Sequence, residues 1–440
     1  MSENHIPGMV LAVYKGGRVQ KFGTYGFADL EQRTPVRRNT LFEICSISKQ
    51  FTAVSVLLLA EDGKLSLDDS LAKFVPEVPK SWAAITVRDL MQHVSGIGEQ
   101  VSDDIYLKPF DQVAKGFGSL VLPKPREEWT YSNAGYWFLA KVIEKASGMA
   151  YYSFMQKRIF DPLGMKDTHP NGMATVIEHR ARGYRWDEAS KRNQNAPMLT
   201  DVMGFGSGGL ISTADDLNQW SEALKHDRIL KPASRRQMLI PAVLEGGDPA
   251  WAEGMSTVGY GLGVFLSGSL PHRIEKHSGG WADASAQLTR FLDDDVTVVM
   301  LTNIGVWDAR PWVGEVIGTM VIRDYKLPEW NPAPDPEPEL LVAVQGIVDS
   351  VVAKKLVTGL LTDAAMKDLA ADPEGAASEF KKLGVAGAKF VRKVPQGKRS
   401  FTLYLEAGSK SVILCVERDA MGKVNSISQY AIPANSGSRM

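Results

Sequence analysis

Cysteine is nearly absent from this chain: 440 residues hold two, Cys45 and Cys415. So distant a pair builds no disulfide framework and leaves the redox compartment open. The seven histidines are scattered, with no His-Glu-x-x-His pair and no Cys/His cluster, so no metal site is expected. An excess of charge of one sign is lacking as well. A net charge of −1 gives no reason to expect nucleic acid or an anionic membrane as partner. No apolar run approaches the roughly 20 residues of a membrane-spanning helix. Residues 1–8 show no basic segment followed by an apolar one, so no signal peptide is read and a cytoplasmic location is expected. A leader removed from the chain would make it periplasmic or secreted instead. Gly-x-Ser-x-Gly is missing, and strands do not alternate regularly with helices, which argues against an α/β-hydrolase. The glycine-rich stretch 204–211 lacks both Gly-x-Gly-x-x-Gly and the Walker lysine. A phosphate cradle is therefore excluded there, and close backbone packing is expected.

What is present is an ordinary globular composition, 44% hydrophobic and 23% charged, in a chain long enough for two or three domains. The apolar run Met9–Tyr14, the turn Gly16-Gly17 and the segment Arg18–Phe22 read as a β-hairpin, with residues 23–27 as a third extended piece. Residues 51–60 are apolar nearly all round, which predicts a central buried helix ended by Asp62-Gly63. Thr86 with Asp89 reads as a capping box. Residues 99–124 read as loops and short helices. Residues 134–146 form an amphipathic helix, and 152–159 a further helix closed by Asp161-Pro162. Residues 165–203 show no period. Three strands follow at 273–277, 286–292 and 296–302, then a helix over 311–325. Strands at both ends with helices between them imply one antiparallel sheet assembled from both ends of a long domain. The alternating prolines of residues 327–338 mark a stiff linker. After it come three helices and four strands, at 388–394, 401–406, 411–417 and 424–432. The expected division is thus a domain over 1–326, a linker over 327–338 and a small α+β domain over 339–440.

One stretch carries chemistry. In Cys45-Ser46-Ile47-Ser48-Lys49, a strand-like segment gives way to the buried helix. Ser46 and Lys49 are three apart, which on a helical turn brings both side chains to one face. A serine hydroxyl needs a base to become a nucleophile, and a lysine amine can be that base if its surroundings favour the neutral form. Ser-x-x-Lys alone is not diagnostic, because serine also caps helices. Two further groups join it. Tyr131-Ser132-Asn133 offers a phenol to shuttle a proton and an amide to meet a substrate carbonyl. His277-Ser278-Gly279-Gly280 follows a strand. His277 can exchange a proton near neutral pH, and the N–H of Gly280 can face an oxyanion opposite the N–H of Ser46.

Taken together, Ser46–Lys49, Tyr131–Asn133 and His277–Gly279 resemble, in order, the three signature motifs of the penicillin-recognising serine hydrolases. The flanking segments 8–10, 63–69, 93–96 and 302–303 are similar as well. The resemblance covers about residues 6–325 and is nearest the class C β-lactamase-like peptidases (family S12). These include D-aminopeptidases, D-amino-acid amidases, D-Ala-D-Ala carboxypeptidases and esterases. Residues 44–52 are similar to the D-aminopeptidase form of the first motif. The resemblance implies a β-lactamase/transpeptidase-like α+β fold, an antiparallel sheet flanked by helices with a helical subdomain. It implies an acyl-enzyme on Ser46, with Lys49, Tyr131 and His277 handling protons. Ser46 and Gly280 would make the oxyanion hole, and Asn133, Ser278 and Gly279 would line the substrate. No cofactor is implied, and the partner is a small-molecule or short-peptide substrate. Two departures stand out. His277 replaces the usual lysine, which shifts the expectation from β-lactamase or carboxypeptidase toward aminopeptidase, amidase or esterase. The sequence begins almost at the first strand, so the helix usual before it is either absent or trimmed away. A non-catalytic binding protein on the same fold is the alternative outside enzymes, and the C-terminal domain is a candidate for homo-oligomer formation.

Overall fold

The computed structural model describes residues 5–98, 124–247, 257–268, 270–305 and 313–327, with parts of 338–432. Residues 99–123 and 328–337, where loops beside the site and the linker are expected, lie outside the described residues. The chain divides into two compact units, Met1–Ala250 with Val258–Lys326, and Trp251–Thr257 with Leu327–Met440.

The first unit opens on a hairpin of β1 (Gly8–Lys15) and β2 (Arg18–Asp29). Gly16 and Gly17 turn it with φ of 58° and 69°, values an L side chain resists. The segment expected as a third extended piece is the continuation of β2, whose glycines read in sequence as a break. Short strands β3 (Thr34–Pro35) and β4 (Phe42–Glu43) lead to a 3₁₀ turn, Cys45–Ile47, and to helix α1 (Ser48–Glu61). Every residue of α1 from Ser48 to Leu59 is buried. Helix α2 (Val87–Met91) begins with the Thr86/Asp89 capping box. Helix α3 (Asn133–Ser147) is capped by the Ser132 hydroxyl, which accepts from the Gly135 N–H at 2.8 Å, and ends on Gly148 with φ of 70°. The next helical stretch does not close at Asp161-Pro162; those residues open a short helix, Asp161–Leu163, where a proline at the first turn costs no hydrogen bond.

The aperiodic stretch that follows contains β5 (His169–Pro170) and a polar hairpin of β6 (Tyr184–Asp187) and β7 (Arg192–Asn195). Strand β8 (Leu210–Ser212) lies between β4 and β5, and helix α4 (Ala214–Lys225) follows. The main sheet is completed by β9 (Thr257–Tyr260), β10 (Phe265–Ser267), β11 (Ile274–Trp281), β12 (Ala284–Phe291) and β13 (Val296–Thr302), and helix α5 (Val313–Val321) comes after them. Its order is β3-β2-β1-β13-β12-β11-β10-β9. Strand β1 pairs antiparallel with β13, Met9 opposite Thr302, so the sheet is assembled from both ends of the unit. The fold is thus β-lactamase-like, an antiparallel sheet flanked by helices.

Within the second unit, α6 (Pro338–Val352) buries Val344, Ile347, Val348 and Val351, a spacing that keeps one helical face apolar. Helix α7 (Asp363–Ala371) is capped by the Thr362 hydroxyl, which accepts from the Ala365 N–H at 3.2 Å. Strands β14 (Lys389–Pro395), β15 (Ser400–Ala407), β16 (Lys410–Arg418) and β17 (Val424–Ile432) pair in sequence order as an antiparallel sheet.

Candidate active site

Ser46 sits in the 3₁₀ turn between β4 and α1, half-buried among buried neighbours. The turn is strained: Cys45, directly before it, has φ of 44°. Such a backbone costs on the order of 1–3 kcal/mol and persists only when its surroundings hold it. Strand β11 does the holding. An added Cβ on Gly279 would run into the Ile44 carbonyl oxygen and meet the Cys45 Cβ at 3.0 Å, so only glycine lets the strand lie this close.

Lys49, on the first turn of α1, is completely buried. Its Nζ lies 3.1 Å from Ser46 Oγ, 2.7 Å from Asn133 Oδ1 and 3.0 Å from the Ser207 carbonyl oxygen. It also stands 4.6 Å from the ring centre of Tyr131 and 5.4 Å from that of Tyr136. An amine in this position can donate two N–H bonds, to Asn133 and Ser207, and turn its lone pair to the Ser46 hydroxyl. The first two motifs therefore converge on one nitrogen. The glycine-rich segment joins them. Gly206, with φ of 77°, packs against the Tyr136 carbonyl and brings the Ser207 carbonyl to Lys49. Close packing was expected of these glycines; the acceptor they deliver was not.

The third motif lies inside a strand rather than after one, since β11 continues to Trp281. His277 is buried on the side of the site, its ring centre 6.4 Å from that of Tyr131. Its Nδ1–H donates to the Ser278 carbonyl at 2.6 Å, which leaves Nε2 to accept from the Tyr260 hydroxyl at 3.1 Å. Burial first, and then the charge of Lys49, lower its pKa to about 3, against the Ser278 bond. The ring is neutral, with both nitrogens engaged. Lys276 cannot lend its charge: it points to the opposite face and pairs with Glu315 of α5 at 2.9 Å, both buried. Ser278 and Gly280 are half-buried on the same strand, and Gly280 stands opposite Ser285 of β12.

Aromatic rings enclose this centre. Trp129, Tyr131, Tyr136 and Tyr260 surround the buried ring of His93, and Phe265 packs 4.9 Å from His277 and 4.7 Å from Tyr260, centre to centre. Beneath Ser46, two buried carboxyls meet. Glu43 of β4 accepts from the Asn171 side chain through one oxygen and from the Leu199 N–H through the other. Asp283 stands at the β11–β12 turn. Burial pushes Asp283 up to about 7 and raises Glu43 too, with Asp283 adding to that rise. Among the described residues no group of His, Cys, Asp and Glu is arranged to hold a metal ion, and no helix is long and apolar enough to cross a membrane.

The sheet assembled from both ends of the first unit and the serine–lysine pair at the head of its buried helix define the fold class of penicillin-recognising serine hydrolases. A family profile described as Beta-lactamase matches residues 1–312, and the chain belongs to that family. Penicillin-binding protein 4* of Bacillus subtilis (strain 168) is 32% identical over 330 residues, 69% of each chain. Of the further curated relatives it matches, the chain spans about half the length. The solved structure of the octameric penicillin-binding protein homologue from Pyrococcus abyssi aligns with a TM-score of 0.64 at 22% identity, over 98% of this chain and 94% of the other. D-amino acid amidase from Ochrobactrum anthropi SV3, complexed with L-phenylalanine, aligns with a TM-score of 0.59 at 26% identity, over 73% of this chain and 93% of the other.

Proposed function

We propose that the protein hydrolyses small amides, short peptides or esters through an acyl-enzyme on Ser46. The observation that carries this reading is Lys49 Nζ, 3.1 Å from Ser46 Oγ and steadied by Asn133 and Ser207. In the first half-reaction Ser46 Oγ attacks the substrate carbonyl and its proton passes to Lys49. The N–H groups of Ser46 and Gly280 receive the oxyanion. Tyr131, whose ring adjoins Lys49, relays the proton to the leaving amine or alcohol. In the second half-reaction the same groups deprotonate a water that hydrolyses the acyl-serine. Asn133 has its oxygen on Lys49, and we assign it to orienting the base as well as the substrate, which Ser278 and Gly279 line. His277 is neutral and tied to Tyr260 and Ser278, so we assign it to holding this wall of the site.

The same neutrality favours substrates without a carboxylate beside the scissile bond. A β-lactam or a D-Ala-D-Ala peptide would find no cation at His277, whereas an amino-acid amide or a simple ester needs none. The resemblance to a D-amino acid amidase supports this ranking. The test is a fluorophosphonate label on wild type and Ser46→Ala, followed by a panel of a chromogenic cephalosporin, a short-chain nitrophenyl ester, and D- and L-alanyl nitroanilides. Labelling that persists in Ser46→Ala would sink the reading. Faster turnover of the cephalosporin than of the amides and esters would overturn the ranking.

We further propose that residues 339–440 form a separate domain that mediates self-association, in keeping with the octameric homologue that aligns across both units. Light scattering on the full chain and on a chain ending at Lys326 tests it. Equal masses would remove the assignment.

A further inference from the structure

His93 follows α2 and is absent from the three motifs, yet it grips the second of them at two points. Its carbonyl oxygen accepts from the Thr130 N–H at 2.9 Å, and its Nδ1 accepts from the Ser132 N–H at 3.1 Å. These two N–H groups flank Tyr131 on either side. The His93 ring lies 4.4 Å from that of Tyr131, centre to centre, tilted by 37°. The backbone at His93 is bent to φ of 60° to reach both N–H groups from one residue.

The protonation of this ring follows from its bonds. Nδ1 accepts, so the proton of the neutral ring is on Nε2, and Nε2 is buried with no hydrogen-bond partner. Burial first, and then the charge of Lys49, keep His93 well below the usual histidine range. The titratable groups around it are Lys49, Tyr131, Tyr136, Tyr260 and His277. A buried ring with an unmatched N–H is a poor choice if filling space were all the position required, since an apolar side chain of similar size would leave nothing unpaired. What the imidazole adds is an acceptor for Ser132 and a flat face for Tyr131.

We propose that His93 is a positioning residue that fixes Tyr131 and Asn133 against Lys49. This rests on the acyl-enzyme reading of Ser46. With Ser132 held, Asn133 begins α3 in the place from which its oxygen meets Lys49, and the Tyr131 ring stays beside the same nitrogen. Loss of the grip frees both partners of the base, while Ser46 and the oxyanion donors keep their own supports and Lys49 keeps the Ser207 carbonyl.

The test is the second-order rate of fluorophosphonate labelling across pH, corrected for the folded fraction, in wild type, His93→Ala and His93→Asn. Asparagine keeps an acceptor oxygen near the place of Nδ1 and tolerates the left-handed backbone; alanine keeps neither. The expected result is a loss on the order of 100-fold in His93→Ala, the cost of about 1 Å of misplacement, with a displaced pH midpoint. His93→Asn should stay within about tenfold of wild type, at the wild-type midpoint. Failure of wild type to label removes the acyl-enzyme reading itself. If wild type labels, an unchanged rate and midpoint in folded His93→Ala overturn the inference. Should His93→Ala not fold, His93→Asn decides: folded and slow it refutes the grip, folded and near wild type it supports it.

Discussion

Gly279 Cα lies against the carbonyl oxygen of Ile44, with no room for a side chain between them. Strand β11 therefore braces the strained turn that presents Ser46, and the closeness of strand and turn sets the geometry of the site. Gly279→Ala should push the two apart. Overpacking of this kind costs roughly 1–3 kcal/mol of stability. The loss of serine labelling should exceed what the lowered melting temperature explains. Normal labelling in a folded Gly279→Ala protein would show that the closeness is incidental.

Lys49 is assigned as a base, so it must be able to lose its proton. Arginine keeps the charge and cannot lose it in a protein. Lys49→Arg and Lys49→Ala should lower labelling of Ser46 by comparable factors, on the order of 10²–10⁴. If Lys49→Arg retains most of the rate, the residue acts as a fixed cation instead.

Behind His277, Glu275 is buried with Arg235 and Arg290, each of which pairs with it. Burial alone would raise this carboxyl, but the two guanidiniums outweigh it and hold it below the usual range. A depressed carboxyl contributes stability above its unfolded pKa, and that contribution is lost as pH falls through the folded value. Glu275→Gln leaves two buried cations unmatched and should cost about 3–5 kcal/mol near neutral pH. The difference from wild type in urea midpoint should shrink as the solution is acidified.

Asp283 works in the other direction. Its pKa rises to about 7 in the folded chain from an ordinary value of 3.8, so the folded state binds more protons between those limits. Its cost to stability is absent below pH 4, grows as pH rises and is complete above pH 7, on the order of 4 kcal/mol. Asp283→Asn keeps a neutral partner for Glu43 at every pH. Its melting temperature relative to wild type should be higher at pH 8 than at pH 5. A pH-independent difference would mean that the two carboxyls do not share a proton.

The chemistry of the site was legible where it was local. Ser46 and Lys49 are neighbours on a helical turn, and Tyr131 with Asn133 needs three residues to be seen. Spacing made them candidates, the resemblance of the three ordered motifs joined them, and the structure brings Asn133 and Ser46 to the same amine. Ser207 escaped notice because it acts through its backbone carbonyl, which no side chain announces. Tyr260 escaped because its partner is distant in sequence, and for the same reason His93 was read only as part of a flanking segment. In β11 the glycines of the third motif read as the end of a strand, when Gly279 is what lets the strand pass close to the turn that carries Ser46. The hairpin of β6 and β7 was hidden because β7 is polar throughout and the alternation of Tyr184 and Trp186 with Arg185 and Asp187 in β6 spans only four residues. The four strands of the C-terminal unit were visible because apolar runs and glycine turns alternate there, and their pairing in sequence order needs only short connections.

The pairing of Met9 with Thr302 bears on how the chain is made as well as on how it stands. These strands lie roughly 290 residues apart, and contacts of such separation form late because a long loop must close first. During synthesis, β1 emerges early and waits for β13 with an apolar edge uncovered. Serine, lysine and tyrosine are all translated well before the strand that braces them. An unfinished chain thus carries Ser46, Lys49 and Tyr131 without the site, and their arrangement begins to exist only when the sheet closes.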